Sequence, residues 1–179
     1  MASVKKAIGT ATAVTATLML AACGASGEIE AGQAAVVDGV VITEADLQES
    51  TSQLNTVLGQ PITPATALQT AITAPAIEKA FTDAGVLISD EALVTELQGS
   101  GIPTPNDITI DVARVIRYTT VLQDPTFAAS AESAQVNEAL SAMDASEMSV
   151  EINPRYGTWD PVQLGAINVD PPEWITSEQ

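Results

Sequence analysis

No histidine occurs in the 179 residues, and the single cysteine stands at position 23. Without imidazole there is no Ser-His triad, no proton shuttle of the usual kind near neutral pH, and no use of the commonest metal ligand. Lys79 has Ala76 three positions before it, so a Ser-x-x-Lys nucleophile is missing too. No EF-hand loop, phosphate-binding glycine loop or dinucleotide fingerprint is present. Carboxylates abound, but Glu44, Asp46 and Glu49 fall at helical spacing as a solvated face. The expectation is a non-catalytic chain without metal or cofactor.

Positive charge is scarce. Six Lys and Arg stand against 23 Asp and Glu, for a net charge of −17. Lys5 and Lys6 fall in the first segment; without residues 1–22, four cations face 23 acids and the charge is −19. A polyanion of this kind is repelled by nucleic acid and by bare acidic lipid. A place at a membrane therefore requires a covalent hold. Aromatic residues are only 3%, while hydrophobic residues reach 46%, above what a disordered tail carries. A core built from Ala, Val, Leu and Ile suits closely packed helices.

The first segment supplies a candidate for that hold. Lys5 and Lys6 precede an apolar run from Ala7 to Ala22, the layout of a secretory signal and too short for a comfortable membrane span. The run closes on Leu20-Ala21-Ala22-Cys23-Gly24, which resembles the lipobox of bacterial lipoproteins. That resemblance implies removal of residues 1–22 and a diacylglycerol on the Cys23 thiol, including a palmitate-type chain, at the extracytoplasmic face of a cell membrane. Two acyl chains suffice for stable anchoring. Residues 23–33 then read as lipidated Cys and flexible tether.

Residues 34–161 read as one mainly α domain with a small β element. Ala34–Val37 and Val40–Ile42 flank an Asp38-Gly39 turn. Thr43, with Asp46 three residues on, caps a first helix ending near Gly59. Thr63-Pro64 opens a second that runs to Gly85, with Pro75 inside it to kink or split it. Ser89 caps a short third helix, Thr104-Pro105 opens a fourth that ends at Pro125, and an Ala-rich fifth spans about Thr126–Met143. Ser149–Ile152 alternates like a half-buried strand, and Asn153-Pro154-Arg155-Tyr156-Gly157 carries turn chemistry. The two terminal strands are expected to pair across the helices, and residues 162–179 read as an extension.

This order resembles the N-terminal, peptide-binding domain of SurA-type chaperones: AVVDGVVIT into TEADLQESTSQL, then AGVLISDEALVTEL, the helix Asp107–Leu122 and a returning strand. The tail INPRYGTWDP resembles one found in bacterial lipoproteins with this domain. Nothing here resembles the parvulin isomerase domains that accompany it in SurA. The resemblance implies a lipid-anchored, chaperone-like module for unfolded or extended polypeptide; the alternative is a module that docks one folded envelope protein. Candidate contact residues are Arg114 and Arg117, three apart on one helix, and Arg155, Tyr156 and Trp159 around the final turn. Each has a structural reading as well: the arginines as partners of nearby acids, the rings as a lock on the core.

Overall fold

In the computed structural model the described residues are 29–162 and 165–169. The expected leader and Cys23 lie outside them. Gln33–Val37 (β1) and Val40–Thr43 (β2) form an antiparallel hairpin. Asp38 at φ 50° and Gly39 at φ 82° both take the left-handed conformation, as a two-residue type I′ turn requires. The Asp38 carboxylate accepts the Ser149 N–H at 2.9 Å, and the Asp38 N–H donates to the Ser149 carbonyl at 2.8 Å. The turn thus fastens the entry to Val150–Ile152 (β3). That strand pairs with the other edge of β1, Ala35 opposite Ile152 and Val37 opposite Val150, giving the order β2-β1-β3. The two ends of the domain meet in one small sheet.

The helices between them begin on local caps. Thr43 accepts the Asp46 N–H at 3.1 Å to start Glu44–Val57 (α1). Thr63 and Pro64 start Pro64–Asp83 (α2) in the same way, and Ser89 starts Asp90–Gly99 (α3). Two expectations need correction here. Asp107–Gln123 (α4) starts on Asn106 rather than at Thr104-Pro105. The Asn106 amide oxygen takes the Thr109 N–H at 2.9 Å while its amide nitrogen donates to the Asp46 carbonyl at 2.8 Å, a side-chain bond across the fold. The Ala-rich stretch is also two helices, Pro125–Ala128 (α5) and Ala131–Ser141 (α6). Ser130 intervenes as a new N-cap, accepting the Ser133 N–H at 3.1 Å.

Pro75 does not split α2, which runs unbroken past it. Ala71, Ile72, Thr73 and Ala74 are buried on one side of it and Ala80 and Phe81 on the other, so packing offsets the lost helix bond. A small second sheet ends the domain: Thr158–Asp160 (β4) pairs with Ala166–Asn168 (β5). The expected 162–179 extension therefore contributes a strand to the folded body. Gly157 sits at φ 122°, and a Cβ there would run into the Asn168 carbonyl and Ile167, so glycine lets β5 approach the turn.

The core lies in two parts. Leu47 and Leu54 of α1, Leu68 and Ile72 of α2, Ile108 and Val112 of α4, with Ala34, Ala35 and Tyr156, form the larger one beneath the sheet. At the far end Phe81, Ala84, Tyr118 and Val136 form the smaller, where the Phe81 and Tyr118 rings stack at 3.9 Å. The chain is mainly helical with a small antiparallel sheet, as its composition implies. No helix among the described residues is long and apolar enough to cross a membrane.

Candidate functional site

The candidate residues from the sequence fall into separate places. Arg114 is in the interior, its side chain only 5% exposed on the side of α4 that faces α2 and α3. Its guanidinium donates to Asp111 at 2.6 Å and to Asp90, and stands 3.5 Å from Glu78. Burial works against that charge, but the hydrogen bond it donates to Asp111 and the fields of Glu78 and Asp111 outweigh it and hold the pKa above its ordinary value. Arg117, one turn on, is half exposed and bonds Glu96 of α3 at 3.0 Å. The two arginines clasp α3 and α2 to α4 with the groups a free carboxylate would need.

Asp111 responds differently. Burial lifts its carboxyl above the ordinary carboxylate range, more than the Arg114 hydrogen bond and charge lower it; Glu78 and Asp107 add to the rise. A group that is harder to ionise in the folded state stabilises the fold below its unfolded pKa and loses that contribution as pH rises through the folded one. Relative to the parent, Asp111→Asn should therefore gain stability as pH rises from about 3 to about 7. Urea titrations of both chains across that range check it; a difference that moves the other way contradicts the burial of Asp111.

The final turn is built differently again. Asn153 donates to the Gln33 carbonyl at 3.0 Å and to Glu44 at 3.1 Å, and Arg155 pairs with the same carboxylate at 2.9 Å. That ion pair is mostly exposed on the arginine side, so solvent screens it and it holds the turn only weakly. Tyr156 is buried in the larger core, with the Arg155 guanidinium 6.0 Å from its ring centre. Trp159 packs on the same core with its ring against Gly165, and its buried indole N–H has no partner among the described residues. Arg155, Tyr156 and Trp159 thus tie the returning strand to β1 and α1.

A groove that the sequence did not single out lies elsewhere, with a volume of about 570 Å³. The hairpin end forms one wall through Val37, Val40, Val41 and Ile42; Ala71, Ile72 and Pro75 of α2 and Ile108 of α4 form the other. Val40 is 67% exposed and Val41 45%, unusual for neighbouring valines in a strand. Asp38, Asp46, Asp107 and Asp111 stand around the rim. Asn106 fixes the geometry through its bond to the Asp46 carbonyl, and Gln53 helps by donating to the Thr104 carbonyl at 3.0 Å and accepting the Thr109 hydroxyl at 2.7 Å. Pro75 has no N–H, so the Ala71 carbonyl, one turn earlier on the groove wall, lacks its helical donor. The groove thus offers aliphatic walls and an acidic rim. The sequence signal for it was the run of valines beside the Asp-Gly turn and a proline inside a helix. Among the described residues no cluster of His, Cys, Asp and Glu is arranged to hold a metal ion.

No protein-family model, curated protein or solved structure matches the chain.

Proposed function

We propose that this chain is a lipid-anchored, extracytoplasmic module that holds extended polypeptide segments in the groove between the β1–β2 hairpin and α2/α4, without catalysis and in a chaperone-like way. The observation that carries this reading is the groove itself: it is open, walled by aliphatic side chains, and within the roughly 300–1,000 Å³ range of ligand sites. Apolar side chains of a bound segment would leave water there, each fully buried one contributing roughly 1.5–3 kcal/mol before ordering costs. The anchor rests on the Leu20–Gly24 lipobox resemblance and on a net charge that would otherwise keep the domain off an acidic bilayer. The SurA-type resemblance points to the same class of ligand.

The test is binding of the full chain, in detergent, to an array of unrelated extended peptides rich in apolar and aromatic residues. Micromolar binding to many of them, weakened by Val41→Asp in a chain that stays folded, is the expected result. Binding to none would overturn the reading and direct attention to a single folded envelope partner, sought by crosslinking.

A further inference from the structure

The charge and the strand edge beside the groove narrow the ligand further. All four cations among the described residues are held in ion pairs: Lys79 with Asp83, Arg114 with its three acids, Arg117 with Glu96, and Arg155 with Glu44. Of these acids only Asp111 belongs to the groove rim, so Asp38, Asp46 and Asp107 stand there with no cation paired to them. Asp38 and Asp46 accept bonds from Ser149 and Thr43, which orient the carboxylates without neutralising them. β2 is the outer strand of its sheet, paired with β1 alone. Its sequence Val40-Val41-Ile42-Thr43 carries none of the lysine, proline or inward charge with which proteins commonly blunt an exposed edge.

Building on the proposed function, we infer that the groove's ligand is a cationic, apolar segment that adds to the β2 edge as a further strand. Backbone groups on the free side of β2 supply main-chain hydrogen bonds, and alternate apolar side chains of the segment enter the space against Ala71, Ile72 and Ile108. Lysine or arginine flanking that apolar run meets the rim carboxylates, a long-range attraction that speeds encounter and discriminates against acidic segments. A second copy of this chain is a poor occupant of the same edge, because each copy carries a large negative charge.

The test uses the full chain in detergent and four peptides with one β-prone apolar core, flanked by Lys, Arg, Ser or Glu pairs. The Lys and Arg peptides are expected to bind about tenfold more tightly than the Ser peptide, with the Glu peptide weakest and the preference fading as salt rises. Asp38→Asn combined with Asp107→Asn should flatten the series; both side chains remain able to accept hydrogen bonds. N-methylation of alternate backbone amides in the Lys peptide should abolish its binding. Equal affinity across the flanks would overturn the charge preference, and equal binding of the methylated peptide would overturn strand addition; either leaves the proposed function standing. Binding of none of the four peptides would sink the inference and the proposed function together. A concentration-dependent dimer displaced by peptide would make a second copy the occupant and overturn the inference.

Discussion

Phe81→Ala is expected to destabilise the fold by about 3–5 kcal/mol, lowering the thermal midpoint on the order of 10 °C. The Phe81 ring is fully buried on α2, stacks on Tyr118 of α4 and shares a cluster with Val136 of α6. Truncation removes the transfer energy of the ring and leaves a cavity whose walls are helices held by their own caps, so little collapse can refill it. Urea unfolding of parent and variant measures the loss. A variant within about 1 kcal/mol of the parent would contradict a packed second core at this end of the molecule.

Arg114→Ala is expected to cost about 3 kcal/mol at neutral pH. Removing the guanidinium leaves Asp90, Asp111 and Glu78, from three helices, facing one another without a cation. The lower end of the range for broken buried pairs applies, because the three acids keep part of their surface in water and can rehydrate. The same variant carries a signature in pH. Asp111, whose carboxyl burial already lifts, takes up a proton as pH falls; the repulsion then fades and the gap between Arg114→Ala and the parent should narrow. Thermal melts across pH check both magnitude and sign; a gap that stays constant would mean the loss is one of packing and not of charge.

What could be read from the sequence follows the range of the interaction responsible. Thr43, Thr63 and Ser89 cap their helices through bonds to the residue three ahead, and all three were legible. The type I′ turn at Asp38-Gly39 is likewise local. The start of α4 is not: Thr104-Pro105 and Asn106 both carry start signals, and the choice falls to Asn106 through its bond to Asp46, sixty positions away. The break at Ser130 hides in an alanine-rich stretch where one cap competes with strong helix propensity. A split at Pro75 is avoided for a related reason, since buried neighbours on both sides sustain a helix that propensity alone would end.

The candidate site was less legible than the fold. Arg114, Arg117 and Arg155 stood out because cations are rare, but rarity also means that surrounding acids claim them. Tyr156 and Trp159 sit where a turn aims rings inward against β1, α1 and Gly165. The groove draws on Asp46 and three short stretches, 37–42, 71–75 and 106–111, each of which taken alone looks like part of an ordinary domain. Only their convergence leaves Val40 and Val41 uncovered beside an acidic rim.

Hydrogen exchange of the full chain, with and without a saturating apolar peptide, tests the central claim most directly. The account predicts slowed exchange in Val40–Thr43 of the hairpin and in the groove-lining turns of α2 and α4 around Ile72 and Ile108. Peptide that binds while these segments exchange as before, with protection instead around Arg155–Trp159, would contradict it.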